Sequence, residues 1–445
     1  MKSLIRSVCI LALSVLLTQC RKEPDHAGIT DTIFLIKLLN LGIDLNNDRL
    51  IELDEAAKVT SLDLQNVFAS DDPIENLEGI EAFINLRVLN CSGQSITHLN
   101  VSRNNSLSEL YCSGNKLVEL NVSNNPELIR LNCAGNALKS LDVTNSPLLQ
   151  KLECKGNKIT ELDLSKNHDL FELICHTNQL TSLDLSNNPN LVYVECMFNK
   201  LTNLNTSGCS LLERLECGSN QLTELDLSTN TTLYQVVCSA NQLTNLELSN
   251  NAALGFIQCG NNKLSNLDVT KNEALWYLDC GSNPIENLDL SKNVKLKDLR
   301  CSNLSLTNLD VSHNLLLETL ACESNLLTSI DVSNNTKLYF LLCFYNRITS
   351  LDLSKNIALE TLECLGNQLT SLNITNNPLL YYLHCAENQL TTLDISKNPK
   401  LTRLDISKMP SLYKVCVSVL PYPPSGVTLN TTGSPNVFFS TDCSK

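Results

Sequence analysis

Aromatic residues are scarce in this 445-residue chain, at 5%, and tryptophan occurs once. Any core it builds must be filled by aliphatic side chains. Histidine is nearly absent, with six residues, and His98, His168, His176, His313 and His384 are scattered rather than clustered. A mixed cysteine and histidine metal centre and a histidine-based nucleophile relay both need convergent imidazoles, so neither is legible. Positive charge is short as well: 33 Lys and Arg against 47 Asp and Glu leave a net charge of −14. That is the wrong sign for a surface that neutralises phosphates, so no nucleic-acid partner is expected. The sequence holds no phosphate loop, nucleophile elbow or zinc motif, and the chain is read as non-catalytic. Glu195, Glu213 and Glu216 are outward carboxylates of the kind a glycosidase pairs, but a flat sheet offers no cleft in which to separate their pKa values.

What the chain has is a period. From Leu86 to Lys400 it repeats every 21 residues, fifteen times without an insertion, and Cys91, Cys112, Cys133 and onward to Cys385 mark the register. One copy, Leu359 to Leu379, reads LETLECLGNQLTSLNITNNPL. Apolar residues fall at positions 1, 4, 6, 11, 14 and 16, and asparagine at 9 and 19. Each half spells LxxLxLxxN, with cysteine as the third apolar residue of the first half. The pattern resembles the leucine-rich repeat family, in its bacterial 21-residue form with one repeat nested in another. The lead-in from Ile74 through Leu77, Gly79 and Ile80 to Leu86 resembles that of internalin-like repeats. LxxLxL places alternate side chains on one face of a short strand, and no helix fits between the halves. The expected fold is a β-rich solenoid with two parallel sheets, behind a short N-terminal helix and a loop-bearing cap. The expected divisions are a signal peptide over 1–19, a tether over 20–30, a cap over 31–85, the repeats over 86–400 and a C-terminal cap over 401–445.

The repeated polar positions read as structure. Asparagine at positions 9 and 19 can satisfy turn backbone on neighbouring coils, and Leu304 and Cys209 interrupt the two columns. Position 17 is Ser or Thr in every copy, as expected of a turn hydroxyl ladder. The cysteine column points inward between apolar neighbours, where a free thiol behaves as a small hydrophobe. Cys416 and Cys443 stand outside the period; an exported compartment permits a disulfide between them, which would lock the terminal cap.

The N-terminus reads as an address. Lys2 and Arg6 precede an apolar run, Val8 to Leu17, too short to span a bilayer. Leu17-Thr18-Gln19-Cys20 resembles the bacterial lipobox, which implies lipidation of Cys20; Gln19 departs from the small residue usual there. Arg21 to Asp25 is similar to the charged tether of surface lipoproteins of Bacteroidota type. The resemblance implies a Gram-negative outer membrane, surface exposure, and membrane contact through the acyl chains alone. Further on, Asp44, Asn46, Asp48, Leu50 (by its carbonyl), Glu52 and Glu55 have the spacing that collects oxygens around a hard cation. The run resembles an EF-hand or dockerin loop, which implies a structural calcium, except that Arg49 stands where that family places glycine.

The outward positions divide into two chemistries. On the second half, position 15 is acidic or amide throughout, as in Asp142, Asp163, Asp184 and Asp394, and reads as a solvated acidic face. On the first half, positions 2, 3 and 5 carry Tyr111, Phe171, Tyr193, Tyr234, Phe256, Trp276, Tyr277, Tyr339, Phe340, Tyr381 and Tyr382. Aromatics gathered on one sheet face mark a recognition surface. The internalin resemblance implies a binding platform for an extracellular or envelope protein. A glycan-binding surface and a periplasmic scaffold remain open beside it, the former because Trp276, Tyr277 and Asp279 alternate aromatic and acceptor.

Overall fold

The computed structural model describes residues 25–66 and 72–443. The signal segment and Cys20 lie outside the described residues. The chain divides into two compact units, residues 1–159 and 160–445, and each is a parallel β-solenoid of leucine-rich coils.

The first unit opens with a helix, α1 (Thr32–Asn40). Asp31 caps it, its Oδ1 accepting the amides of Ile33 and Phe34 at 2.9 Å each. Its Oδ2 accepts the Glu75 amide at 2.8 Å, which ties the helix to the lead-in segment. Burial works to raise the Asp31 pKa, but the amides of Phe34, Glu75, Asn76 and Ile33 outweigh it and hold the carboxyl below its usual value. Phe34 and Leu38 form the buried side of the helix. A second short helix, α2 (Leu53–Ala56), follows the acidic loop. Residues 25–30, assigned from sequence to the tether, belong to this cap: the Ala27 amide donates to Ile51 O at 2.7 Å and the Leu53 amide to Asp25 O at 3.1 Å.

The sheet of this unit begins before the sequence period does. Ser61–Asp63 pairs in parallel with Val88–Asn90, which pairs with Glu109–Tyr111, then Arg130–Asn132, then Lys151–Glu153. Leu62, Leu89, Leu110, Leu131 and Leu152 lie in register and are buried. In the second unit the same first-half strands run from Glu172–Ile174 to Arg403–Asp405, and Thr428–Asn430 of the terminal cap adds to the end. Each strand is three residues long because only the middle of LxxLxL is extended on both sides of an inward leucine. The following cysteine still joins the ladder, as where the Cys91 amide donates to Tyr111 O at 2.8 Å.

The expected second sheet is realised only in part. Ser182–Asp184 pairs with Asn203–Asn205, and Thr392–Asp394 pairs with Lys414–Cys416, which pairs with Phe438–Ser440. Elsewhere the second halves show isolated bridges, Asn100 with Asn121 and Asp352 with Asn373. The position-15 carboxylate accepts the amide two residues on, as Asp163 accepts from Ser165 and Asp226 from Ser228, both at 2.9 Å. The same Asx turn recurs in the second halves that do pair, where Asp184 accepts from Ser186 at 3.0 Å and Asp394 from Ser396 at 2.9 Å, so it caps these segments whether or not a strand forms. At position 17, expected to form a ladder between coils, Thr144 and Thr270 instead bond within their own coil, donating to Asp142 and Asp268 at 2.7 Å.

Asparagine does join the coils. In the position-9 column, Asn241 Nδ2 donates to Cys217 O of the preceding coil at 3.1 Å and to Cys238 O of its own at 3.0 Å. Its Oδ1 accepts the Leu222 amide at 3.0 Å. In the position-19 column, Asn251 donates to Leu227 O and Asn230 O at 3.0 and 2.8 Å. The ladder cysteines are free and buried, and burial pushes the Cys238 and Cys280 thiols up to about 12. Cys209, which replaces an asparagine, donates its thiol to Leu185 O at 3.3 Å. Cys416 and Cys443 are joined as a disulfide, with Cα atoms 5.5 Å apart. The tail is held besides by Ser434, whose Oγ donates to Ile406 O at 2.7 Å and accepts from the Met409 amide at 2.9 Å.

Candidate functional site

The first-half strands bury their middle residue and turn the flanking ones outward, so positions 2, 3 and 5 form a continuous outer surface within each unit. The aromatics there are not equivalent. Phe171, Tyr234, Trp276, Tyr339 and Tyr381, all at position 2 and in the second unit, are 39–45% exposed. Tyr193, Phe256, Phe340 and Tyr382 are half-buried, as is Tyr111 in the first unit. Tyr277 departs from expectation: it is buried, at 8% exposure. The Phe256 ring stacks on it at 4.3 Å with planes 9° apart, and the Arg300 guanidinium sits 5.5 Å from its centroid. A neighbour one coil away on each side closes over the ring.

Trp276 projects from the same cluster, tilted to Phe256 at 5.5 Å and edge-on to Tyr277 at 5.9 Å. Gly255, one coil back at the same position, makes room for it. A Cβ on Gly255 would meet Trp276 Cδ1 at 2.9 Å and Nε1 at 3.0 Å. Asp298 holds Arg300, Oδ1 to Nε at 3.1 Å. Asp279 folds down onto the Gly281 amide at 3.2 Å, and burial raises its pKa above the usual carboxylate value. The cluster thus sets an exposed indole in a fixed pose among charges that are already paired.

Of the carboxylates weighed for glycosidase chemistry, Glu195 and Glu216 are engaged structurally, and Glu213 is exposed. Glu195 accepts the Tyr193 hydroxyl at 2.8 Å and lies 3.3 Å from His176 Nε2. Glu216 is bound by Arg214 at 3.2 Å and Gln235 at 3.1 Å. Burial pushes the Tyr193 hydroxyl well above its usual pKa. On the second-half side, a shallow groove of about 910 Å³ is lined by Asp184, Glu224, Asp226 and Glu247 with amides and hydroxyls between them.

The sequence reading missed a third set of outward residues. Position 8 takes a left-handed conformation in the described coils. It is glycine at Gly93, Gly114, Gly135 and Gly156 in the first unit, but Phe198 and Tyr345 adopt it in the second, at φ 53° and 51°. These two are 58% and 51% exposed. A bulky residue is rare in that region, and the glycine column is the signal that singles them out.

In the cap, the loop side chains accept from the backbone amides of their own loop. Asp44 accepts the amides of Asn47 and Arg49 at 2.7 and 2.9 Å. Asn46 accepts from the Asp48 amide and Asp48 from the Leu50 amide, both at 2.8 Å. Glu55 accepts from the Leu45 and Glu52 amides at 2.6 and 3.0 Å. Arg49 takes φ 71°, the conformation for which a glycine would be chosen. Glu52 Oε2 is buried with no hydrogen-bond partner. The Glu52 pKa rises to about 7, first through its hydrogen bond with Glu55, then through burial and the charge of Asp48. An all-oxygen donor set with an orphaned carboxylate oxygen suits a hard cation.

Neither the family models nor the curated proteins contain a match to the sequence. Solved structures do match. The functional domain of InlJ from Listeria monocytogenes, described as including a cysteine ladder, is 34% identical, with a TM-score of 0.58. The match covers 82% of this chain and 71% of that one. This chain is an internalin-like leucine-rich repeat protein. The Leptospira interrogans leucine-rich repeat protein LIC12759 shares the fold at 24% identity, with a TM-score of 0.63, over 80% of this chain and 92% of that chain. The plant peptide hormone receptor RGFR1, solved in complex with RGF2, shares it at 19% identity, with a TM-score of 0.60, over 85% and 66%. In this internalin-like protein the cysteine column is the buried ladder described above.

Proposed function

We propose that this internalin-like protein is a non-catalytic platform, lipidated at Cys20 and carried on the outer membrane surface, that binds another protein through the first-half face of its second unit. The observation that carries the reading is Trp276: a large, exposed aromatic set in one pose by Gly255, Phe256 and Tyr277. Pre-ordering an anchor before binding removes part of the entropy that association otherwise loses. The RGFR1 receptor complex, on the same fold, supports a protein or peptide as the ligand class. The acidic second-half face keeps the protein soluble and apart from its neighbours. Calcium held by Asp44, Asn46, Asp48, Leu50 O, Glu52 and Glu55 braces the cap. The anchoring and surface location rest on the Leu17 to Cys20 segment.

The test is side-by-side capture from extracellular and envelope fractions with the wild type and the Trp276→Ala, Tyr234→Ser double variant. One protein retained by the first and lost by the second supports the platform; equal retention removes it. A glycan reading keeps Trp276 but loses Tyr277, whose ring is covered. Glycan-array binding that disappears in Trp276→Ala would favour it.

A further inference from the structure

One coil of the second unit differs from the others. In Leu338 to Ala358 each outward residue from position 2 to position 8 is apolar or aromatic: Tyr339, Phe340, Leu342, Phe344 and Tyr345. They run across the ladder as a band. The coils on either side place Glu318, Glu323, Glu360 and Glu363 along its two margins. Residues 318–324, 339–345 and 360–366 contain no lysine, arginine or histidine.

The band is built rather than accidental. Tyr345 occupies the left-handed turn position, and its ring lies over Gly366, where a Cβ would meet Cε1 at 2.8 Å. Gly366 is the glycine of that column in the second unit, placed beside the one tyrosine that needs the space. Phe344 meets Tyr345 edge-to-face at 5.5 Å. Phe340 lies in register with Thr361, which is 2% exposed and whose hydroxyl has no hydrogen-bond partner. Among the described residues the side-chain partners of the marginal carboxylates lie on their far sides: Lys297 reaches Glu318 at 3.9 Å, and the His384 ring lies 3.7 Å from Glu363. Glu323 accepts from Ser302, yet its Oε2 is buried without a partner.

An apolar ligand alone would cover the band and strip water from four carboxylates, which is unfavourable unless each gains a cation. We propose that this coil is a docking site for an extended protein segment in which apolar residues alternate with lysine or arginine. The apolar side chains face the band. The long basic side chains, pointing away at the alternate positions, bend to either margin and meet Glu318, Glu323, Glu360 and Glu363. This deepens the platform reading and rests on it, since it names a second anchor on the same face, three coils from Trp276.

The test uses the full chain and two capped synthetic octapeptides, one alternating phenylalanine and leucine with lysine, the other with glutamate in place of lysine. Binding is followed by fluorescence anisotropy. The lysine peptide is expected to bind, to weaken as salt rises, and to lose tenfold or more in Leu342→Ser with Tyr345→Ser. Glu318→Gln with Glu360→Gln, surface changes that leave the core intact, should weaken it several-fold. Trp276→Ala should leave it within twofold. Equal binding of the glutamate peptide, unchanged affinity in the Leu342 and Tyr345 variant, or equal loss in Trp276→Ala would overturn the proposal. If the peptides fail while capture through Trp276 succeeds, the platform stands and this anchor falls.

Discussion

The indole of Trp276 lies over Gly255, a residue 21 positions earlier whose absent side chain is what admits it. Gly255 has no left-handed φ, so the backbone would accept alanine without strain. Gly255→Ala is therefore expected to move the indole and leave the fold standing. Because the chain has a single tryptophan, emission reads that displacement directly. A shifted spectrum with melting unchanged within a few degrees is the expected outcome, and an unaltered spectrum would mean the glycine is not the seat.

The position-9 asparagines are each worth several hydrogen bonds. Asn241→Ala removes two donors to Cys217 O and Cys238 O and one acceptor for the Leu222 amide. Leaving such buried groups unmet should lower stability by about 2–4 kcal/mol. Leu304 is the natural gap in this column within the second unit, and Leu304→Asn should raise the melting temperature. Denaturant and thermal melts of both variants check the pair.

Buried thiols make the fold sensitive to alkali. An exposed thiol titrates near 9.0, and burial raises Cys154, Cys238 and Cys343 to about 12. Above pH 9 the unfolded chain binds fewer protons than the folded one, so stability falls as pH rises toward the folded values. Below pH 9 the contribution is fully present. Unfolding midpoints should decline steadily from pH 9 upward, and iodoacetamide at pH 8.5 should label the ladder cysteines only after denaturation. Labelling of the native protein along the ladder would contradict the burial.

The cap loop yields a calcium prediction. Thermal melting with excess calcium should exceed melting with EDTA, and Asp44→Ala with Asp48→Ala should abolish the difference. Identical curves for the wild type in calcium and EDTA would remove the ion from the loop.

Leu267→Asp places a charge at an inward position, 3% exposed. Stacking is nearest-neighbour, so hydrogen exchange should rise over the adjoining coils first. Protection preserved on both sides of the substitution would contradict the assigned register.

Leucine, cysteine and asparagine columns are legible because each is a burial or backbone-satisfaction rule repeated along fifteen coils, asparagine filling thirteen of the fifteen places in each of its two columns. Inward Leu278 and Cys280 can be placed from the period alone. The covering of Tyr277 cannot, since it depends on Phe256 and Arg300 one coil to either side. The strand Ser61–Asp63 lies outside the period and is invisible to it for that reason. The acidic column reads from sequence as a solvated stripe, and its carboxylates are exposed from Asp142 to Asp352; what the period does not show is that they also bond their own turns, as Asp310 does with the Ser312 amide at 2.9 Å. Periodicity shows which way a side chain points but not which nearby amide it meets. Position 8 reads simply as turn, and only the φ of 51° at Tyr345 shows that an aromatic stands where glycine is favoured.

The most direct measurement is a photo-crosslinking scan of the second unit in the presence of extracellular and envelope proteins. Benzoylphenylalanine is placed at Trp276 and Tyr339 on the first-half face, and at Asp226 and Asp289 on the acidic face. A platform that works through its aromatic face gives one protein adduct from the first pair and none from the second. Adducts from Asp226 and Asp289, with Trp276 and Tyr339 silent, would place recognition on the opposite side and contradict the assignment.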